Sequence, residues 1–128
     1  MILDSSALIS ILLKEPGYET LIEKLNRAEI VFVSAPTAVE SAIVLSSRLG
    51  MDARPMLAGL LYRINAEIVD FNHQHYEAAI GAYLRFGKGR HAAALNFGDC
   101  MSYALASVSG LPLLYAGSDF SQTDIKSA

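Results

Sequence analysis

The sequence predicts an α/β fold, a three-layer α/β/α arrangement in which helices cover both faces of a central parallel sheet of four to five strands. Three observations carry that prediction. Short β-type runs alternate with longer helical ones along the chain, the order that a parallel sheet with crossover helices requires. Ile30-Val31-Phe32-Val33 is continuously apolar, as expected of a strand covered on both faces. A length of 128 residues with 52% hydrophobic and 18% charged side chains suits one core-rich domain, 1–128, and no linker, repeat or low-complexity tract divides it.

The elements follow in order. Met1-Ile2-Leu3 is the first strand and leads straight into Asp4 and a helix through Leu13, closed by Lys14-Glu15-Pro16-Gly17. A second helix near 18–28 spaces Leu21, Ile22 and Leu25 for the core and leaves Glu19, Glu23, Lys24 and Arg27 to solvent. Residues 30–33 form the second strand. Ser34 then caps a helix with Pro36 near its first turn, running to Leu49-Gly50. Another helix lies near 53–64. Residues 67–71 are the third strand, and Asn72 opens a helix to about Phe86. The glycine-rich stretch 87–91 is loop. Residues 97–109 are the last helix, ended by Gly110-Leu111-Pro112. Residues 111–116 form the fourth strand, and 123–126 are a candidate fifth. In such sheets ligands bind beyond the carboxyl ends of the strands, where the strand order reverses.

Charge is spread unevenly over this frame. Residues 1–13 hold one charged side chain, Asp4; residues 30–47 hold one, Glu40; residues 92–118 hold one, Asp99. These 58 residues carry three charges, all acidic, while the other 70 carry 20, so each acid lies in an apolar segment with no lysine or arginine near it in sequence. A buried unpaired carboxylate must become neutral or meet a cation. Asp4 falls at the carboxyl end of the first strand and Glu40 about one turn into the helix after the second. Asp99 starts the helix before the fourth strand, and Asp119 lies just beyond that strand. If they converge, they make an all-oxygen, negative pocket suited to Mg²⁺ or Mn²⁺. The plainer reading is a set of separate helix-dipole partners plus a turn aspartate. With Asn96 as N-cap, Asp99 is then an N3 residue favoured by the orphan amides. That reading serves Asp4, Asp99 and Asp119 singly, does less for Glu40, and leaves the missing opposite charges unexplained.

The same acids carry a resemblance. MILDSSAL at 1–8, PTAVESAIVL at 36–45, LNFGDCMSYALA at 95–106 and LPLLYAGSDFSQTDI at 111–125 resemble, in that order and spacing, a PIN-domain ribonuclease, and within that family the VapC-type toxins of bacterial toxin–antitoxin pairs. The resemblance covers residues 1–125 and implies a PIN-like form of the fold. It implies that Asp4, Glu40 and Asp99 are the main catalytic metal ligands, that Asp119 is a more variable fourth, and that Ser6 supports the first aspartate. It further implies metal-dependent hydrolysis of RNA phosphodiester bonds, leaving a 5′-phosphate and a 3′-hydroxyl, with a carboxylate-held cation activating water and offsetting charge on the phosphate. The partners implied are an RNA substrate, a cognate antitoxin that buries a helix and a C-terminal segment against the cleft, and a second copy of the chain. Helices 5–14 and 36–49 are the candidate surfaces. Two departures stand out: Ala116 replaces a basic residue common in relatives, and Ser118 an acid, which leaves less charge for a second ion.

Weaker signals are weighed against plain ones. Arg85, Lys88, Arg90 and His91, interleaved with Gly87 and Gly89, form the densest basic stretch, either a phosphate clamp for RNA or an ordinary solvated loop. Phe86 and Phe97 offer stacking faces, with core packing expected for Phe97. His73 and His75, two apart on a helix, point to different faces and are expected at the surface rather than on a metal. Cys100 reads as a small buried hydrophobe, and as the sole cysteine it excludes an internal disulfide and fits a reducing compartment. Asp124 borders the site or caps a turn, and Asp70 reads as structural. The N-terminus lacks a basic region, and no apolar run nears the ~20 residues that span a bilayer. A soluble, cytoplasmic chain without a membrane segment is expected.

Rival functions fail on particular residues. A metal-dependent adhesion module needs a serine where Leu8 stands. A receiver domain needs paired acids where Ser5 and Ser6 stand, and an aspartate-nucleophile phosphohydrolase needs an acid at Ser6. A catalytically silent interaction protein on the same fold remains as the alternative, and retention of all four acids counts against it.

Overall fold

Ile2–Leu3 (β1), Val31–Ser34 (β2), Ala66–Val69 (β3) and Leu113–Leu114 (β4) pair in parallel in the computed structural model, which describes residues 1–128. Their order is β3-β2-β1-β4. The helices are Ser5–Leu13 (α1), Tyr18–Leu25 (α2), Ala35–Leu49 (α3), Arg54–Arg63 (α4), His73–Phe86 (α5) and Phe97–Ser109 (α6).

Alternation along β1 splits the core in two. Ile2 and Leu3 are both fully buried but point to opposite sides of the sheet. Leu3 packs with Leu8, Leu45, Leu57 and Leu61 from α1, α3 and α4. Ile2 packs with Ala79, Phe86, Met101 and Leu105 from α5 and α6. The three-layer α/β/α arrangement follows directly, and no helix is long and apolar enough to cross a membrane. Local signals hold at the helix ends: Gly50 and Gly110 close α3 and α6 in the left-handed conformation that favours glycine, at φ 64° and 69°.

Several expectations are corrected. The sheet has four strands, within the expected four to five, and the candidate fifth over 123–126 does not form. Residues 119–122 wind into a short 3₁₀ turn, and Ser127 makes only an isolated bridge to Leu113. The fourth strand keeps two residues of the six expected, because Pro112 brings no amide to a ladder and the chain turns away after Leu114. Ser34 occupies the cap position of α3 without a capping bond from its side chain. His75 is buried, not exposed. As the N3 residue of α5 its Nδ1 folds back to accept the Asn72 amide at 3.2 Å, and its ring rests near Phe71. Phe97 is 80% exposed rather than packed, because the first turn of α6 projects past the core into the gap between α3 and α5.

Candidate active site

The strand order reverses at β1, which has β2 on one side and β4 on the other. Asp4 leaves β1 at that point and becomes the N-cap of α1. Its Oδ2 accepts two bonds, from the Ser6 amide at 2.9 Å and the Ser6 hydroxyl at 2.6 Å. The Ser6 oxygen in turn accepts the Ala116 amide at 3.0 Å, and the Asp4 amide donates to the Leu114 carbonyl at 3.0 Å. One serine thus orients the aspartate and ties it to the end of β4. The other carboxylate oxygen is different. Asp4 is only 2% exposed, and its Oδ1 is buried with no hydrogen-bond partner.

Glu40 reaches the same place from α3. The Ser5 hydroxyl donates to its Oε1 at 3.2 Å. Burial pushes the Glu40 carboxyl above its ordinary pKa, the Asp4 charge adds to that, and the Ser5 bond offsets part of it. Its carboxylate lies against the backbone of Gly98 in the first turn of α6. α3 and α6 are clasped one turn away, where the fully buried Thr37 and Ser102 hydroxyls meet at 2.9 Å and Ser41 donates to the Thr37 carbonyl at 2.8 Å. Thr37 precedes Glu40 by three residues and Ser102 follows Asp99 by three, so the clasp holds the two acids' helices together.

Asp99 is the N3 residue of α6 in a reciprocal capping box: it accepts the Asn96 amide at 2.9 Å while Asn96 accepts the Asp99 amide at 2.9 Å. Asp99 is thus the N3 partner of the Asn96 cap, as the sequence predicts. Even so, its pKa is pushed up to about 6. Burial is the main cause, the Asn96 amide works against it, and the charges of Asp4, Asp119 and Glu40 add to the rise. Asp119, exposed at the start of the 3₁₀ turn Asp119–Gln122, is close enough for its charge to act on Asp99. None of the four takes part in a salt bridge.

The donor set fits a hard divalent cation: all oxygen, strongly negative, with one buried oxygen unsatisfied. The acids are gathered but not caged, since no three of them close to direct coordination distance. Mg²⁺ needs only one or two carboxylates and keeps much of its own water.

The basic residues make no ion pair with the four acids. Arg85 donates to Asp124 at 2.9 Å, with its guanidinium 4.6 Å from the Phe86 ring centroid, and Asp124 also accepts from the Tyr103 hydroxyl at 2.7 Å. Lys88 and Arg90 are exposed in the loop, with the Arg90 guanidinium 5.4 Å from the Tyr83 ring centroid. None of the three is among the charges that act on Asp99. Cys100 is buried, and burial, then the Asp99 charge, pushes its thiol up to about 11. Sequence reasoning passed over Ser5, Gly98, Thr37 and Ser102. The available signals were a glycine inside a helical first turn and hydroxyls three residues from Glu40 and Asp99.

Beside Glu40 lies an apolar groove of about 490 Å³ lined by Pro36, Val39, Ile43, Phe97 and Met101. A second cleft of about 320 Å³ runs between α1, α2 and α4 past Leu12, Tyr18, Ile22 and Leu60.

Comparison with known proteins bears on what this arrangement does. Residues 1–126 match the PIN domain family. VapC ribonuclease Mb2004c of Mycobacterium bovis is 44% identical over 127 residues, spanning 98% of this chain and 91% of that protein. Ribonuclease VapC of Mycolicibacterium smegmatis is 43% identical over 125 residues, 98% of this chain and 97% of that one. Among solved structures, the sarcin–ricin-loop-cleaving toxin VapC20 of Mycobacterium tuberculosis superposes with a TM-score of 0.78 at 16% identity, over 99% of this chain and 97% of that chain.

Proposed function

The chain belongs to the PIN-domain family, and from that premise and its gathered acids we propose that it is a divalent-metal-dependent endoribonuclease of the VapC type, the toxin of a toxin–antitoxin pair. The observation that carries the metal is Asp4 Oδ1, a buried carboxylate oxygen with no hydrogen-bond partner, beside three more acids none of which pairs with a basic side chain. Asp4, Glu40 and Asp99 would share Mg²⁺ or Mn²⁺, one or two of them directly and the rest through its bound water, with Asp119 acting directly or through water. When bound, the ion supplies an activated water and offsets charge on the phosphate.

The chain's own groups orient and exclude. Ser6 holds Asp4 Oδ2 so that Oδ1 faces inward. Ser5 steadies Glu40, and the Asn96 amide orients Asp99. No side chain acts as nucleophile: the one thiol, Cys100, is neutral near pH 7 and buried. Lys88 and Arg90, free of carboxylate partners on the exposed loop, contact the RNA backbone. Arg85, engaged by Asp124, contributes less.

Two protein partners complete the reading. The exposed apolar residues Val39, Ile43, Phe97, Ile80 and Tyr83 form one face beside the site, which a second copy of the chain covers. The antitoxin lays a helix in the cleft between α1, α2 and α4 and brings a C-terminal cation toward the acids. The α1 helix itself turns Leu8, Ile9 and Ile11 into the core, so only its outer edge is available. RNA as substrate and a single reduced cysteine fit a cytoplasmic setting.

The test is cleavage of total cellular RNA by the purified protein, with 5′-ends sequenced, with and without EDTA, alongside growth on induced expression. The expected result is 5′-phosphate ends and growth arrest, both abolished by Asp99→Asn, with cleavage also abolished by EDTA. Cleavage that persists in EDTA or in Asp99→Asn would contradict the proposal.

A further inference from the structure

Glycine in a helix interior ordinarily needs a reason, because alanine there gains helix propensity at no steric expense. Five of the nine glycines have one in their backbone: Gly17, Gly50, Gly89, Gly110 and Gly117 adopt positive φ. Gly98 is not among them. It lies in the regular first turn of α6, where its conformation suits any residue. What its neighbours require is the missing side chain. A methyl group on Gly98 would lie 2.7 Å from Glu40 Oε1 and closer still to Oε2. By contrast, a methyl on Gly81 in α5 meets nothing within 4 Å, and one on Gly59 in α4 meets only the Arg63 guanidinium at 3.5 Å.

We infer that Gly98 is a positioning residue for the site: the space left by its absent Cβ is the seat of the Glu40 carboxylate, held there from the other side by the Ser5 hydroxyl. The inference rests on the four-acid reading and adds to it the residue that decides where Glu40 sits. The overlapping atoms belong to the far end of a flexible side chain, so alanine at this position is accommodated by Glu40 swinging away rather than by movement of α6. Folding survives and the carboxylate is displaced from Ser5 and from the neighbourhood of Asp99. The same substitution that strengthens the helix weakens the site, a pairing of opposite signs that a purely structural glycine does not give.

The test is calorimetric titration with Mn²⁺ of wild type, Gly98→Ala, Glu40→Ala and the double variant, with a thermal melt of each. Gly98→Ala is expected to melt at or above the wild-type temperature while binding Mn²⁺ roughly tenfold or more weakly, in the range typical of groups that orient metal ligands. In the Glu40→Ala background it is expected to change affinity no further, since no carboxylate is left to displace. Wild-type affinity in Gly98→Ala, or an equal loss in both backgrounds, overturns the role of Gly98 and leaves the four-acid reading standing. Failure of the wild type to bind Mn²⁺ overturns both.

Discussion

Asp99 and Tyr103 lie one turn apart on α6, yet the carboxylates gathered at the two levels are treated in opposite ways. At Tyr103, Asp124 accepts the phenol at 2.7 Å and Arg85 at 2.9 Å. Burial acts to raise the Asp124 pKa, but the Tyr103 hydroxyl and the Arg85 guanidinium outweigh it and hold it below its usual value. At Asp99, burial is reinforced by Asp4, Asp119 and Glu40, the Asn96 amide offsets only part, and the pKa stands near 6. The first cluster is complete within the chain. The second has no such partners within the chain, and on the proposed reading a cation from outside completes it. On that reading the contrast separates a structural carboxylate from a functional one better than sequence position does, since Asp99 begins α6 and Asp124 bonds to the same helix through Tyr103.

Variants at the two levels should therefore diverge. The largest effect is expected for Asp4→Asn, which keeps a capping side chain but removes the charge on the unsatisfied oxygen. Metal-dependent RNA cleavage should fall beyond the ~100-fold upper end seen for groups that merely orient ligands, with little change in melting temperature. Unaltered cleavage would erase the distinction between the clusters.

The next effect is on stability against pH in metal-free protein. Asp99's folded pKa, about 6, is above its unfolded value near 4. Folding therefore favours its protonated form, and the benefit, fully present below about pH 4, is lost as pH rises through about 6. After allowance for partial exposure the loss is roughly 1–2 kcal/mol. Denaturant melts across pH 4 to 7 should show it as a slope present in wild type and reduced in Asp99→Asn. A slope equal in both proteins would mean that Asp99 is not held above its ordinary range. Asp124 titrates with the opposite sign, losing its stabilising pairs as pH falls through its depressed pKa.

Smaller still, Tyr103→Phe removes one hydrogen bond from the completed cluster and should lower stability by about 1 kcal/mol, with metal affinity unchanged. A drop in metal affinity in Tyr103→Phe would show that the two clusters are coupled. Replacing Lys88 and Arg90 together by Ser should reduce RNA affinity and its salt dependence without touching Mn²⁺ binding; a changed Mn²⁺ isotherm would move those residues into the site.

Much of this was legible in the sequence because the signals were local. The isolation of Asp4, Glu40 and Asp99 from any cation is a property of composition along the chain, and Asn96 announces the capping box of Asp99 from three residues away. What was not legible depends on which helices meet. Thr37 and Ser102, 65 residues apart, face each other only because α3 and α6 pack beside the sheet. Gly98 acquires its meaning only when Glu40 arrives from α3. Phe97 has core spacing with Met101 and Ala104, and is exposed because the first turn of α6 overshoots the core. His75 is buried where its spacing predicts exposure because its ring serves the helix cap rather than either helix face. The candidate fifth strand over 123–126 does not form because the chain is still turning there, with the Thr123 amide and hydroxyl both donating to the Phe120 carbonyl, and only Ser127 reaches the sheet.

The central claim, that Asp4 Oδ1 and the acids around it await a divalent cation, is tested most directly by calorimetric titration of Mg²⁺ and Mn²⁺ into wild type and Asp4→Asn at neutral pH. A binding isotherm in the wild type that disappears in a folded Asp4→Asn variant is the predicted result. No binding at millimolar metal, or equal binding by both proteins, would contradict it.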